Sequence, residues 1–109
     1  MKPYRLRPRA RDDRRAEVLY YRQEAGAKVA AKLVEAMDKA PAELELNPAI
    51  GSPSLGKVID VEGLRTGRIA GFPLSFWYFE RADHVDVARL IGQRQDQGGF
   101  LIDGQLPKG

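Results

Sequence analysis

The sequence has 109 residues, of which 43% are hydrophobic and 30% are charged. This balance is typical of a globular chain, and at this length residues 1–109 should form a single domain. There is no cysteine, which excludes disulfides, thiolate metal sites and a cysteine nucleophile. No apolar run approaches the roughly 20 residues of a membrane helix, and the first residues lack the apolar stretch of a signal peptide. We therefore expect a cytoplasmic protein with no membrane partner.

Positive charge is concentrated at the N-terminus. The first 22 residues contain eight basic and three acidic side chains, a net charge of +5, whereas the whole chain carries +3. Seven of these eight basic residues are arginine, and the guanidinium group favours bidentate contacts with carboxylate or phosphate. This basic arm indicates an acidic partner surface or a nucleic acid, with a solvated helix face as the alternative.

The first half of the chain predicts a strand followed by two helices. Residues 3–8 alternate apolar and basic side chains, as a short strand does. Helical spacing follows over 9–25 and again over 27–40. Gly26 between them fits a helix C-cap. Because a single residue separates the two helices, we expect an antiparallel helix hairpin.

Each predicted helix carries a set of side chains at helical spacing. On the first helix this set is Ala16, Leu19, Tyr20 and Gln23. On the second helix it contains Ala27, Ala30, Ala31, Val34 and Met37, with Leu33 and Ala40 beside it. Asp12 and Asp13 should lie in the first turn of the first helix, where carboxylates suit the positive end of the helix dipole. Pro41 disfavours continuation of the second helix, although one more turn can follow it.

The second half predicts a loop and three strands. Two prolines and two glycines within 47–56 exclude regular structure there. Strands follow at 64–70, 72–81 and 85–91, and 58–61 can begin the first of them. Such short connections force an antiparallel meander. The predicted fold class is therefore α+β, a two-layer βααβββ domain in which the helix hairpin packs on an antiparallel sheet that the N-terminal strand joins.

Two short motifs point to chemistry, and in both cases we favour a structural interpretation. Residues 51–57 have the spacing of a phosphate-binding loop, but Val58 replaces the Ser or Thr that would hold magnesium, and the next residues resemble a strand. Without a helix N-terminus, no dipole would point at a phosphate. His84 has an aspartate on either side, but it is the only histidine, so the second imidazole of a typical metal site is missing. We therefore expect no metal and no cofactor.

A set of arginines lies on or just after the predicted strands. Arg65 and Arg68 are an odd number of residues apart, so they should point to opposite faces. Arg89 should share a face with the apolar residues of the last strand, including Ile91, and Arg94 follows that strand. A buried arginine is either paired with a carboxylate or placed to hold an anion. A basic sheet face could hold RNA in a metal-free ribonuclease, and bracing of neighbouring strands is the alternative.

Several short motifs occur in a characteristic order. They are Asn47-Pro48-x-x-Gly51-Ser52-Pro53, Gly63-Leu64-Arg65, Gly71-Phe72-Pro73 leading into Phe76 and Tyr78, Asp83-His84-Val85-Asp86-Val87-x-Arg89, and Gln93-Arg94-Gln95-Asp96. Together they resemble the ParE branch of the RelE/ParE toxin superfamily. The resemblance extends from Tyr4 to about Leu101, and the order of the motifs, the chain length and the βααβββ pattern agree with it.

The resemblance implies the toxin of a type II toxin–antitoxin pair. Its partner would be a ParD-like antitoxin, which wraps a disordered C-terminal segment around the toxin. ParE-type members poison DNA gyrase, and DNA would be reached only indirectly, through the antitoxin complex. A non-toxic family member that only binds an antitoxin is one alternative to this function.

The RelE branch of the superfamily gives the other alternative, a ribosome-dependent mRNA endonuclease. That branch relies on basic residues and commonly on a tyrosine in the C-terminal segment. Arg94 matches the basic residue after the last strand, but Phe100 stands where the tyrosine would fall. A phenyl ring has no hydroxyl to move a proton. We therefore expect a toxin that is not an enzyme and has no catalytic residues.

Two sets of site residues follow from this interpretation. A disordered antitoxin segment needs an apolar groove and complementary charge on the toxin. The candidate antitoxin contacts are Arg5, Arg9, Arg15, Leu19, Tyr20, Leu33 and Met37. The candidate contacts with the gyrase target are Arg94, Phe100, Leu101 and Ile102, supported by Arg65, Arg68 and Arg89.

Overall fold

The computed structural model describes residues 3–92, which form a helix hairpin packed on one face of a four-stranded sheet. In chain order the elements are β1 (Tyr4–Leu6), α1 (Pro8–Ala25), α2 (Ala27–Leu46), a 3₁₀ turn (Pro48–Ile50), α3 (Ser54–Val58), β2 (Leu64–Arg68), β3 (Leu74–Glu80) and β4 (Val85–Gly92). The α+β class, the helix hairpin and the three C-terminal strands are confirmed. Within the described residues, no helix is long and apolar enough to cross a membrane.

The sheet is mixed, with strand order β1-β4-β3-β2. The meander of β2, β3 and β4 is antiparallel as predicted. β1 pairs with β4 in parallel, with Tyr4 opposite Val85 and Leu6 opposite Val87. The prediction of a wholly antiparallel sheet is therefore wrong in this one pairing. A tight connection fixes the direction of neighbouring strands, but no such connection joins β1 to β4.

The residues that α1 buries are not the ones that share helical spacing in the sequence. Ala10, Asp13 and Glu17 are buried, whereas Ala16, Leu19, Tyr20 and Gln23 are exposed. Because α1 begins at Pro8, its first turn contains no acidic residue, and Asp12 and Asp13 lie further along the helix. The helix turns two acidic side chains inward because at least one of them, Asp13, meets a buried arginine.

α2 is longer than predicted and is rotated about its axis. It continues through Pro41 to Leu46. Its buried residues are Ala30, Leu33, Met37, Pro41 and Leu44, whereas Ala27 and Ala31 are exposed. Proline removes one backbone donor from a helix, and here the buried Pro41 ring belongs to the apolar face of the helix.

β3 is one of the two inner strands of the sheet, and its side chains pack on both faces. Phe76 and Tyr78 belong to the cluster between sheet and hairpin, and Trp77 and Phe79 belong to a cluster on the outer face. The outer cluster is packed by Leu55, Ile59 and Val61, from α3 and the residues after it. Both faces of β3 are therefore covered, which accounts for its continuous apolar sequence.

A bulge changes which residues of β4 share a face. The register shifts between Trp77 and Tyr78, which pair with Arg89 and Val87. As a result, Ile91 packs in the outer cluster, whereas Val87 packs on the hairpin side. The predicted common face of Arg89, Val87 and Ile91 is therefore wrong, because a bulge interrupts the period of two on which that prediction depends.

Candidate functional site

Arg89 lies in a buried ion pair with Asp13 of α1. Its Nε and Nη2 donate to the two carboxylate oxygens at 2.6 and 2.8 Å. The backbone N–H of Leu90 also donates to Asp13, at 3.0 Å. β1 pairs with β4 only from Val85 to Val87. Beyond that point Asp13 replaces the missing strand as the acceptor for the N–H of Leu90. Arg89 is 5% exposed, and the structure places it inside the fold rather than on a surface for the target.

Arg65 and Tyr78 hold the segment between α2 and α3 in place. Arg65 Nη1 donates to the carbonyl oxygen of Gly51 at 2.7 Å. The Tyr78 hydroxyl donates to the carbonyl of Pro48 at 2.7 Å and accepts from the N–H of Gly51 at 2.9 Å. Burial raises the pKa of Tyr78, against an opposing effect of its hydrogen bond with Gly51. A Cβ at position 51 would collide with the Tyr78 ring, so only glycine fits there.

This clamped segment corrects two expectations. Residues 47–56 contain a 3₁₀ turn and the start of α3 rather than a loop without regular structure. Ser52 also forms an isolated antiparallel bridge with Thr66 that covers part of the outer edge of β2. Val58 belongs to α3 and not to a strand. The proline and glycine residues suggest a loop, but here they shape short helical turns that are fixed by Arg65 and Tyr78, which are distant in the sequence.

Arg68 remains on the surface at the end of β2. It is exposed, and its strand partner is Ser75, whereas the partner of Arg65 is Tyr78. The two arginines are thus on opposite faces, as predicted. Arg68 also borders a cavity of about 290 Å³, which the partly exposed Ile50 lines as well.

The outer face of α1 combines exposed apolar and basic side chains. Leu19 and Tyr20 are 51% and 37% exposed, and Arg15 beside them is exposed. Arg5 and Arg9 are exposed as well. By contrast, the two candidate antitoxin contacts on α2, Leu33 and Met37, are fully buried at 0% exposure. The candidate antitoxin contacts of the N-terminal segment are therefore on the surface, whereas the α2 pair lies in the core.

A further arginine cluster was not identified from the sequence. Asp86 accepts hydrogen bonds from both Arg7 and Arg81, and both guanidinium groups lie over the ring of Phe79. Sequence reasoning treated Asp86 only as a neighbour of His84. Among residues 3–92, no group of three or more His, Asp or Glu side chains could hold a metal. The alternation of residues 3–8 gives only part of the signal, because it places Arg5 and Arg7 on one face but does not indicate Arg81 or Asp86.

The remaining candidate target contacts, Arg94, Phe100, Leu101 and Ile102, lie outside the described residues.

Comparison with known proteins identifies the family. The family model described as "ParE toxin of type II toxin-antitoxin system, parDE" matches residues 4–97. The fold is similar to a solved chain titled "Chromosomal ParDE TA system from P. aeruginosa", with a TM-score of 0.71 and 22% sequence identity. That alignment covers 84% of this chain and 96% of the solved chain. No curated protein sequence matches this chain. The family match extends over most of the sequence and over every described strand and helix, and the chain therefore belongs to the ParE toxin family of type II toxin–antitoxin systems.

Proposed function

We propose that this chain is a growth-arresting toxin that poisons DNA gyrase without catalysing a reaction, and that a ParD-like antitoxin neutralises it. Family membership supports the toxin class. The observation that carries the non-enzymatic part of the proposal is the state of the arginines on the sheet. Arg89 is paired with Asp13 inside the fold, and Arg65 donates to backbone carbonyls of the clamped segment.

These contacts argue against a RelE-like nuclease. Such an enzyme needs cationic groups aimed at the phosphate on which charge develops. Arg65 and Arg89 instead hold the toxin's own backbone and a buried carboxylate. The sequence also has Phe100 where that branch commonly has tyrosine, and phenylalanine cannot transfer a proton. A binding poison needs neither arrangement.

The outer face of α1 supports an antitoxin contact. Leu19 and Tyr20 offer apolar area, and the exposed Arg15 of the same helix, together with the exposed Arg5 and Arg9 earlier in the chain, adds positive charge to the N-terminal segment. An antitoxin segment that folds on binding gains affinity from apolar burial and speed from charge complementarity. We place the antitoxin on this face and not against Leu33 or Met37, which are buried in the core.

For the gyrase contact we propose the segment from Arg94 to Ile102, with Arg68 as a supporting residue. Phe100, Leu101 and Ile102 form an apolar run after a polar, glycine-containing stretch, a pattern typical of a contact element. Arg68 is exposed beside a cavity at the sheet edge. Truncation after Asp96 should abolish gyrase poisoning and leave the thermal midpoint nearly unchanged. A large loss of stability would instead mean that the segment serves folding.

One experiment separates the three candidate functions. The chain is expressed in bacterial cells while DNA synthesis and protein synthesis are followed by pulse labelling. A gyrase poison should stop DNA synthesis first, and co-expression of a ParD-like antitoxin should restore it. Early loss of protein synthesis with cleaved mRNA would indicate the ribosome-dependent endonuclease. Growth at the normal rate would indicate a family member that is not toxic.

A further inference from the structure

The outer face of the sheet presents two guanidinium groups that are fixed in position. Arg7 Nε and Nη2 donate to the two oxygens of Asp86 at 2.9 and 2.7 Å. Arg81 Nε and Nη2 donate to one of these oxygens at 3.2 and 2.9 Å. The two guanidinium carbons lie 5.5 and 4.8 Å from the centre of the Phe79 ring. Carboxylate and ring together order both side chains before any partner arrives.

This arginine pair is accessible and carries excess positive charge. The Arg7 and Arg81 side chains are 33% and 31% exposed, whereas Asp86 is 13% exposed. Arg5 is the strand neighbour of Asp86 in the parallel pairing and is itself exposed. Two guanidinium groups therefore share one carboxylate, and a third arginine lies opposite it in the strand pairing. Asp83, at the adjacent turn, offsets part of this charge and is hydrogen-bonded to His84 at 2.7 Å.

The chemistry of the patch favours a phosphate backbone over a peptide. A peptide segment that folds on binding needs exposed apolar area, but Phe79 is only 2% exposed beneath the guanidinium groups. The large exposed hydrophobic residues among residues 3–92 are Leu19, Tyr20, Leu46, Ile50 and Val58. None of them belongs to this cluster. Nucleic acids, in contrast, are bound largely through phosphates by arginine and lysine, and the arginine fork matches phosphate geometry.

We propose that Arg7 and Arg81, held by Asp86 on the ring of Phe79, bind nucleic-acid phosphates directly. The family resemblance implies contact with DNA only through the antitoxin complex, and this patch adds a contact made by the toxin itself. The contact does not depend on whether gyrase is the target. Because phosphate contacts carry no base information, binding should show little sequence preference.

The test measures binding of the full chain to a fluorescein-labelled duplex of about 20 base pairs by anisotropy, between 50 and 200 mM NaCl. The double variant Arg7→Gln/Arg81→Gln should weaken binding about tenfold and reduce the slope of log K against log salt by roughly two. The matched control is Arg11→Gln/Arg22→Gln, which removes two exposed arginines of α1 and should change the affinity less than about twofold.

Equal losses in the variant and the control would overturn the proposal, because only net charge would then matter. A duplex that does not bind the unmodified chain would overturn it as well. A ten-residue polyglutamate peptide that binds the Arg7–Arg81 patch more tightly than the duplex does would show that the partner is an acidic protein.

Arg7 follows β1, Arg81 follows β3, and both bind Asp86 of β4. Because replacing them also removes contacts that hold the strands together, a second measurement uses the unmodified chain. In the unmodified chain, the arginine Nε–H resonances are followed by NMR as the unlabelled duplex is added. Those of Arg7 and Arg81 should shift more than that of Arg22. Unshifted Arg7 and Arg81 resonances at saturating duplex would contradict a direct contact.

Discussion

At the residue scale, Asp13 accepts hydrogen bonds from three donors, Nε and Nη2 of Arg89 and the backbone N–H of Leu90. A buried ion pair contributes little net stability relative to apolar residues of the same shape, because both charges lose their hydration. Removing one partner is different, because it leaves an uncompensated charge inside the protein. The stability lost on removing one partner can therefore be compared with the stability lost on replacing both.

We predict that Asp13→Ala lowers the free energy of unfolding by about 3–5 kcal/mol. The double variant Asp13→Leu/Arg89→Met should recover most of the loss, although the N–H of Leu90 then lacks its acceptor at a cost of about 1–3 kcal/mol. Urea denaturation of the two variants and the unmodified chain measures both effects. A single variant within about 0.5 kcal/mol of the unmodified chain would show that the pair is not buried in solution.

Asp86 should give stability a dependence on acid pH. Burial alone would raise the pKa of this carboxyl group, but the hydrogen bonds from Arg7 and Arg81 outweigh burial and lower it. A carboxyl group whose folded pKa is lowered stabilises the fold above its unfolded pKa of about 3.9. That contribution is lost as the pH falls through the folded pKa.

We therefore predict that Asp86→Asn reduces the free energy of unfolding at pH 7, and that its difference from the unmodified chain shrinks below about pH 4. Denaturation series between pH 7 and pH 2.5 measure this difference. Asp12→Asn is the control, because Asp12 is an exposed carboxylate on α1. An Asp86→Asn difference that stays constant down to pH 2.5 would mean that the Asp86 contacts do not stabilise the ionised form.

At the scale of elements, the two helices of the hairpin divide their roles. α2 supplies core side chains such as Leu33 and Met37, and α1 supplies an exposed face that includes Leu19. The single residue between them, Gly26, has φ +95°, a region that side chains with a Cβ rarely occupy. In this hairpin α2 therefore packs in the core, and the outer face of α1 is exposed and available to a partner.

We predict that Leu33→Ala destabilises the fold by about 2–5 kcal/mol, as large-to-small changes in a core do. Leu19→Ala should change the unfolding free energy by less than about 0.5 kcal/mol, because the side chain is on the surface. Leu19→Ala should nevertheless weaken antitoxin binding, measured by calorimetry with a ParD-like antitoxin. A Leu19→Ala variant that is strongly destabilised, or that binds the antitoxin normally, would remove α1 as the antitoxin surface.

The sequence predicts those elements whose signals are local. Alternating side chains with turns between them locate β2, β3 and β4, and Gly26 locates the hairpin turn. The direction of β1 and the bulge in β4 depend on pairing between distant segments, and their prediction failed. The same limit applies to the buried face of α1: nothing near Asp13 in sequence shows that its partner lies 76 residues away.

The candidate site shows the same limit. Leu19 and Tyr20 are recognisable as candidates from their helical spacing, and Arg15 is recognisable from the basic charge of the N-terminal segment. Arg89 carried a usable signal, because an arginine on an apolar strand must be paired or bind an anion. The cluster of Arg7, Arg81 and Asp86 joins three separate segments and could not be derived from any one of them.

At the scale of the whole molecule, folding makes the surface of the N-terminal segment more basic, because it buries acidic side chains of that segment. The first 22 residues carry a net charge of +5, and two of their three acidic residues, Asp13 and Glu17, are buried. The exposed surface of this segment is therefore more basic than its composition suggests. Such a surface accelerates association with an acidic partner and is sensitive to salt.

We predict that the association rate with a ParD-like antitoxin falls about tenfold between 50 and 300 mM NaCl. The triple variant Arg5→Gln/Arg9→Gln/Arg15→Gln should associate more slowly at low salt and respond less to added salt. The control Lys28→Gln/Lys32→Gln/Lys39→Gln removes three exposed charges from α2 and should leave the rate nearly unchanged. Stopped-flow fluorescence measures these rates, and a rate independent of salt would show that the basic arm does not guide the antitoxin.

The most direct test of the central claim uses purified DNA gyrase, supercoiled plasmid and ATP, with and without this chain. Reactions are stopped with detergent, treated with protease and resolved on an agarose gel. We predict linear DNA that is linked to protein until the protease step, in an amount that rises with the chain and is suppressed by the antitoxin. Normal supercoiling with no linear DNA, at chain concentrations that arrest growth, would contradict gyrase poisoning.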